Sequence, residues 1–256
     1  MNDEELLKKA SFLRKICLQV SHDTSASHIG SIFSMMDILV YIYYSGLLRA
    51  EDKFVLSKGH AVLGLYAALH DLGVINQEQF NSYRVNGSEL IEHPSIRVAR
   101  IDVSTGSLGH GLAISIGLAM AEPTERVYCI MGDGECQEGS VWESAIIASR
   151  LKLKNLTIVV DSNKYQGYSD SSEQLFPSNM VAKMFAALNF HVTEINGHDY
   201  AEIRKAFSDS QDIDCAKVII ATTIKGKGVS FMENRFEWHY KSPDDTQLKT
   251  ALKELS

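Results

Sequence analysis

The residues best suited to chemistry lie just beyond two short apolar runs of the sequence. Asp133 stands between two glycines after the run Val127–Met131, and Asn163 follows the next run, Leu156–Val160. Between the runs, apolar residues recur at helical spacing, so the pattern predicts a βαβ unit. Because the carboxyl ends of adjacent parallel strands meet at one edge of a sheet, the carboxylate and the amide are expected to lie close together. Two hard oxygen donors beside glycines suit Mg²⁺ carrying a diphosphate.

The neighbourhood of Asp133 supports this interpretation, although a Gly-Asp-Gly sequence alone is often only a turn. Gly134 leaves space where a diphosphate must lie, and a helix starting near Gly139 would direct its N-terminus at the negative charge. A backbone carbonyl near Tyr165 would add a further oxygen ligand. The glycine spacing is not that of a dinucleotide fingerprint, and the segment Lys225–Gly228 lacks the order of a P-loop.

Three histidines form a second group of candidate residues. His28, His60 and His93 all fall in predicted loops beside small or turn-forming residues. A single histidine is more often a surface or core residue than a catalytic one, but three in this setting favour a common site. Their spacing is not that of a zinc site. Neutral imidazoles would suit proton transfer and hydrogen bonding to a polyol substrate.

The elements that must position these residues alternate along the chain. This alternation predicts the α/β class: a three-layer, open parallel sheet with helices on both faces, forming a single domain over residues 1–256. The stretch 76–100 is predicted to be loop, 166–174 a polar loop and 225–243 irregular. The predicted helices are 3–20, 34–46, 61–72, 110–121, 141–151, 178–188, 200–208 and 244–254, and the predicted strands are 54–56, 127–131, 156–160, 191–195 and 217–223.

Composition limits the partners. With 25 Lys and Arg against 32 Asp and Glu, the net charge of −7 provides no general basic field for nucleic acid or an anionic membrane. No stretch has the length and apolarity of a membrane span, and the N-terminus is not a signal peptide. The four cysteines show no paired spacing and are expected to be reduced. The sequence therefore predicts a soluble, cytoplasmic protein.

Taken together, the motifs resemble the N-terminal, diphosphate-binding domain of transketolase, a thiamine diphosphate enzyme. The resemblance covers nearly the whole chain, with the motifs in the family's order. The matching segments are Ser27-His28-Ile29-Gly30, Leu56-Ser57-Lys58-Gly59-His60, His93-Pro94, Ser104-Thr105-Gly106-Ser107-Leu108-Gly109, Gly132-Asp133-Gly134-Glu135 with Glu138-Gly139 and Trp142-Glu143, and Asp161-Ser162-Asn163-Lys164.

The resemblance implies a role for each matched residue. Asp133, Asn163 and the Tyr165 carbonyl would bind Mg²⁺ or Ca²⁺. The cofactor would contact a larger set: His60, Gly106, Ser107, Leu108, Asp133, Gly134, Glu135, Asn163 and Tyr165. The catalytic set would be His28, His60, His93, Glu138 and His239, although the local match around His239 is loose. Glu138 and Glu143 would join an acidic network between paired active sites. They lie five positions apart on one helix, so a simple role as helix N-terminal charges stays open.

The resemblance also implies a second chain. Transketolases are longer, and the glutamate that activates the cofactor lies in a second, pyrimidine-binding domain. The expectation is an N-terminal subunit that works with a C-terminal subunit in an α₂β₂ assembly and moves a two-carbon ketol unit between sugars or sugar phosphates. Two alternatives stay open: a subunit of a decarboxylating enzyme like deoxyxylulose phosphate synthase, and a non-catalytic diphosphate-binding module.

Three positions depart from the family pattern. Gly167 stands where many transketolases have a bulky apolar residue against the thiazolium, so a neighbouring side chain or the partner would have to supply that contact. Ile29 replaces a proline, and Lys58 stands where longer enzymes often carry asparagine. These changes point to the split-subunit branch or to a specialised sugar substrate.

Overall fold

The computed structural model describes residues 1–167, 176–208 and 214–256, and these residues contain a sheet of five parallel strands. The strand order is β1-β2-β3-β5-β4, with every pair parallel. This confirms the predicted α/β class and the open parallel sheet. The strands are β1 Lys53–Leu56, β2 Val127–Gly132, β3 Leu156–Ser162, β4 His191–Asn196 and β5 Lys217–Thr222.

Helices cover both faces of the sheet, because alternate strand residues point to opposite sides. On one face, Tyr128, Val159 and Ile219 join a buried cluster with the first, second, third, eighth and ninth helices. On the other, Met131 and Val160 pack with the fifth, sixth and seventh. The α-helices are α1 Asp3–Thr24, α2 Ile29–Tyr44, α3 Val62–Asp71, α4 Gln77–Asn81, α5 His110–Ala121, α6 Gly139–Leu151, α7 Ser178–Ala187, α8 Tyr200–Ser208 and α9 Asp245–Glu254.

The start of α2 differs most from prediction. The helix begins at Ile29 rather than at residue 34, directly after His28, which has the left-handed φ of 69°. Gly30 precedes the predicted helix but lies inside the observed one, where a Cβ would lie 3.0 Å from Lys225 Cγ and 3.1 Å from the carbonyl oxygen of Trp238. The glycine therefore permits close packing inside the helix, and tertiary contacts outweigh its weak helix propensity.

Two stretches that were predicted to be irregular each contain a short helix. Within the stretch 76–100, Gln77–Asn81 forms α4, started by a capping box between Asn76 and Gln79. Within 225–243, Phe236–His239 forms a 3₁₀ helix. Both are too short to show a hydrophobic period. Most of the predicted polar loop at 166–174 lies outside the described residues. No helix in the described segments is long and apolar enough to cross a membrane.

Candidate active site

The predicted metal-binding residues meet at the carboxyl edge of the sheet. Strands β2 and β3 are neighbours, and Gly132 pairs with Asp161, so Asp133 and Asn163 leave the sheet side by side. Both line a cavity of about 540 Å³. The cavity is lined by His28, Ser31, Lys58, His60, His93, Gly106, Leu108, Gly132, Asp133, Gly134, Glu135, Gln137, Glu138, Asn163, Tyr165, Gln166, Gly167, His239 and Tyr240.

Backbone hydrogen bonds orient the two oxygen donors. The Asp133 carboxylate accepts from the amides of Gly134 at 2.9 Å and Lys164 at 2.6 Å. Asn163 Oδ1 accepts from the Tyr165 amide at 3.1 Å, while its Nδ2 donates to Ser34 Oγ at 3.1 Å. A carboxylate, an amide and a nearby backbone carbonyl are the hard oxygen donors that suit Mg²⁺ or Ca²⁺. In the described segments no three His, Cys, Asp or Glu side chains cluster tightly enough to hold a metal. A metal here would therefore be bound by the Asp133 carboxylate together with oxygens of the Asn163 amide, the backbone and the bound ligand.

A buried ion pair lies next to this edge of the sheet. Lys58 Nζ donates to Asp161 Oδ2 at 2.5 Å, with 1% and 0% of the two side chains exposed. Ser34 Oγ and Thr223 Oγ1 also donate to this carboxylate. Burial alone would raise the pKa of Asp161, but the Lys58 ammonium and these hydrogen bonds hold it below its ordinary value. Asp161 thus fixes Lys58 beside the cavity floor.

Three imidazoles face one another across the cavity. The ring centroids of His28 and His60 are 5.1 Å apart, those of His28 and His239 5.2 Å, and those of His60 and His239 5.6 Å. The His28 amide donates to the His239 carbonyl oxygen at 2.9 Å, which joins the start of α2 to the 3₁₀ helix. Their convergence brings together residues far apart in sequence, as a common site requires.

His93 lines the same cavity beside Gly106. The φ of Gly106 is 148°, and a Cβ there would lie 2.9 Å from His93 Cδ2. Any larger residue would therefore strain the turn and displace the imidazole. Leu108 lines the cavity from the same turn.

Burial keeps the clustered imidazoles neutral. It lowers the pKa of His28 to about 4 and that of His239 to about 3, with the Lys225 charge adding to the effect. Burial and the Lys58 charge lower the pKa of His60 well below its ordinary value. At neutral pH these rings can accept as well as donate hydrogen bonds, which agrees with the expectation of neutral imidazoles.

Two lysines of the site were not identified as functional from the sequence. Lys225 Nζ donates to Ser31 Oγ at 3.1 Å and lies 3.1 Å from His239 Nδ1. Lys58 Nζ donates to the Ser31 carbonyl oxygen at 3.0 Å. Burial and the neighbouring Lys58 charge lower the pKa of Lys225 to about 7. Lys58, and Lys225 when it is protonated, would place positive charge near Asp133 and so attract a diphosphate. The position of Lys225 just after strand β5 was the available signal, because ligands bind beyond the carboxyl ends of parallel strands.

Two predicted cofactor contacts have a different setting in the structure. Ser107 is exposed and lies outside the cavity lining. Glu135 lines the cavity, but its carboxylate accepts from Ser57 Oγ, from the Gly109 amide at 2.9 Å and from the Gly132 amide at 3.1 Å. Burial raises the pKa of Glu135 despite these bonds. Its carboxylate therefore ties together the backbone segments that carry the site.

The predicted acidic network begins at the exposed mouth of the cavity. Glu138 is exposed, lines the cavity and is the N-cap residue of α6. Glu143 is exposed further along that helix. Both carboxylates are therefore open to another chain, and a network that links them across an interface stays a prediction.

Tyr240 compensates for the small residue at position 167. A Cβ on Gly167 would lie 2.9 Å from Tyr240 Oη and 3.4 Å from His239 Nε2. The Tyr240 hydroxyl donates to the Gly167 carbonyl oxygen at 2.6 Å. A neighbouring aromatic side chain of the same chain therefore occupies the space beside Gly167.

Comparisons with known proteins agree with this geometry. The family model "Transketolase, thiamine diphosphate binding domain" matches residues 7–255. The chain is 35% identical to one subunit of the apulose-4-phosphate transketolase of Phocaeicola vulgatus, covering 100% of this chain and 95% of that protein. It is 32% identical to the 6-deoxy-6-sulfo-D-fructose transketolase subunit SqwG of a Clostridium species, covering 98% and 96%.

A solved structure shows the same fold. The transketolase of Campylobacter jejuni superimposes with a TM-score of 0.92 at 30% identity, covering 100% of this chain and 43% of that one. The present chain thus spans less than half of the full-length enzyme but nearly all of the two subunit relatives. The chain belongs to the transketolase family and corresponds to the thiamine diphosphate-binding domain of its members.

Proposed function

We propose that this chain is the N-terminal subunit of a two-chain transketolase, which transfers a two-carbon ketol unit from a ketose to an aldose. One observation carries the proposal: the neutral His28, His60 and His239 share a cavity with the oxygen donors Asp133 and Asn163. A diphosphate-binding module without catalysis would need the second group but not the first. The histidine cluster therefore favours an enzyme.

The residues divide the work between anchoring and proton transfer. Thiamine diphosphate, when bound, supplies the nucleophilic carbon for cleaving a ketose beside its carbonyl. Asp133, Asn163 and the Tyr165 carbonyl would hold Mg²⁺ or Ca²⁺, and Lys225 and Lys58 would balance the remaining diphosphate charge. The helix α6 starts at the cavity mouth and adds its positive N-terminal end.

The imidazoles would act on the substrate. Ketol transfer removes a proton from a hydroxyl of the donor as that carbon becomes a carbonyl, and returns a proton when the acceptor is joined. His28, His60 and His239 are neutral at pH 7, so each can take up a proton and release it again. His93, which lines the same cavity, would bind a further hydroxyl.

A second subunit is part of the proposal. The two subunit relatives are named as subunits of transketolases and match this chain over almost their whole length. The residue that activates the cofactor is expected in a pyrimidine-binding chain, and an α₂β₂ assembly would place each cofactor between chains. Within the described residues the cysteines Cys17, Cys129, Cys136 and Cys215 are unpaired, which supports a reducing cytoplasmic location.

The relatives also narrow the substrate class. Their names specify apulose 4-phosphate and 6-deoxy-6-sulfo-D-fructose, which are ketoses that carry an anionic group at the end remote from the carbonyl. We propose that the donor of this enzyme is likewise a ketose ending in a phosphate or sulfonate. Tyr240 lines the cavity and is 56% exposed, so it would be open to a substrate that extends toward solvent.

The test uses this chain together with its C-terminal subunit, thiamine diphosphate and Mg²⁺. The enzyme is expected to transfer a two-carbon unit from a ketose phosphate or sulfonate to an aldose phosphate, and His28→Ala is expected to abolish transfer without preventing cofactor binding. Release of CO₂ from pyruvate in the same mixture would instead identify the decarboxylating alternative. Absence of both reactions, with every donor tried, would refute an enzymatic role.

A further inference from the structure

A histidine outside the cavity, His198, accepts a hydrogen bond from the backbone just before Lys225. Strand β5 pairs with β4 up to Thr222, where the Gly197 amide donates to the Thr222 carbonyl oxygen at 2.8 Å. Beyond Gly197 the chain turns away into α8. The next backbone amide after β5 that faces β4 therefore has no carbonyl of β4 to bond. The imidazole of His198 takes that place: its Nε2 accepts from the Ile224 amide at 2.8 Å. A side chain thus extends the sheet ladder by one hydrogen bond.

The opposite ring nitrogen is fixed by a charge. His198 Nδ1 lies 2.6 Å from Asp37 Oδ2, and 10% and 3% of these side chains are exposed. Burial would raise the pKa of Asp37, but Arg14 and His198 lower it to about 2, so the carboxylate is an acceptor. Because a backbone amide can only donate, Nε2 must be unprotonated and Nδ1 must carry the proton. Both ring nitrogens therefore have defined roles.

The hydrogen bonds of Asp37 and His198 lead to the active site from two sides. Arg14 on α1 holds Asp37 on α2 through Nη2 at 2.6 Å, and α2 begins at the cavity with Ile29, directly after His28. At the other end, Ile224 is followed by Lys225, whose Nζ contacts Ser31 and His239. Asp37 and His198 therefore join the helix that follows one catalytic imidazole to the segment that carries the buried lysine.

We propose that His198 is a positioning residue, which orients the Ile224–Lys225 peptide through Nε2 and thereby aims the Lys225 ammonium at the cofactor diphosphate. This inference rests on the proposed function for its ligand, but the hydrogen bond it depends on can be tested without any ligand. His198 is not among the residues that line the cavity, and its ring bonds Asp37 and Ile224, neither of which is a predicted metal ligand.

Two variants test the hydrogen bonds of the two ring nitrogens separately. In His198→Asn the amide group can still donate to Asp37 but is too short to reach Ile224. In His198→Gln the amide oxygen reaches the position of Nε2 and keeps an acceptor for Ile224, while the donor to Asp37 is lost. Tyr200→Phe is a matched control, because the Tyr200 hydroxyl hydrogen-bonds Asp37 Oδ1 at 3.5 Å and the Leu6 carbonyl oxygen at 3.2 Å rather than Ile224.

Hydrogen exchange of the Ile224 amide is the first measurement. His198→Asn is expected to exchange at least about tenfold faster than wild type, whereas His198→Gln and Tyr200→Phe stay close to wild type. Unchanged protection in His198→Asn, or equal losses in the Asn and Gln variants, would overturn the proposal. Nitrogen-15 spectra of the wild-type ring supply a measurement that needs no variant to fold: the Nδ1–H tautomer is expected, and an Nε2–H tautomer would overturn the assignment.

Calorimetry with thiamine diphosphate and Mg²⁺, in the presence of the partner subunit, then tests the functional half. The dissociation constant is expected to rise at least about tenfold in His198→Asn and to change little in His198→Gln. Faster exchange with unchanged affinity would overturn the role in cofactor binding. A wild-type complex that does not bind thiamine diphosphate at all would refute the proposed function instead, while the exchange and tautomer results would still decide the role of His198.

Discussion

Proton uptake on cofactor binding is the sharpest prediction from the structure. Burial and Lys58 lower the pKa of Lys225 to about 7, so in the free chain this lysine is largely neutral above that pH. A bound diphosphate favours its charged form. If Lys225 is fully protonated in the complex, binding takes up about 0.5 proton at pH 7 and about 0.9 proton at pH 8.

The same linkage makes affinity depend on pH. Because the free chain loses its proton as pH rises, the dissociation constant of thiamine diphosphate should increase roughly fivefold between pH 7 and pH 8. Removal of the charge in Lys225→Met should weaken binding by roughly 1.5–3 kcal/mol, or about ten- to hundred-fold. That variant should also lose the proton uptake.

Calorimetry of cofactor binding with Mg²⁺ and the partner subunit, in two buffers that differ in ionisation enthalpy, measures the uptake directly. The matched control is Lys227→Met, which removes a charge two residues along the chain from Lys225. The Lys227 side chain is partly exposed, and its Nζ lies 3.7 Å from Glu233 Oε1. Wild type with no uptake at pH 8, or uptake that persists in Lys225→Met, would refute the assignment of Lys225 to the diphosphate.

Three further predictions concern the metal, the turn and the imidazoles. Asp133→Asn should weaken metal-dependent cofactor binding by more than about tenfold, or about 1.4 kcal/mol, and unchanged affinity in a Mg²⁺ titration would remove the metal assignment. Gly106→Ala should lower transfer activity by at least about tenfold, because the φ is positive and the neighbouring imidazole is displaced. Gly87→Ala, whose φ is 85° with no atom near its Cβ, should cost only about 1 kcal/mol of folding stability, measured by denaturant unfolding, and leave activity intact. Since the pKa values of His28 and His239 are lowered to about 4 and 3, kcat at saturating cofactor should not fall through protonation of these rings between pH 7.5 and about 5.5. An acid limb near pH 6.5 that disappears on replacing either histidine would contradict their burial.

Much of the site could be predicted because its residues follow local patterns. Asp133 and Asn163 come directly after apolar strands, and the register of β2 and β3 places them as the βαβ pattern required. The helix α5 has its predicted bounds, His110–Ala121, because a glycine precedes it and its residues are continuously apolar. Such features depend on neighbours in sequence, so a single sequence is enough to predict them.

The sequence by itself thus determined the fold class, the sheet edge that carries the predicted metal ligands and the candidate histidines. Only the tertiary structure decided that Lys58 and Lys225 lie buried beside Ser31, since lysine is ordinarily a surface residue and a position just after a strand does not by itself show burial. The same holds for His198, whose partners come from α2 and from the end of β5. Burial and pKa depend on contacts between segments distant in sequence, and those contacts exist only after the sheet has assembled.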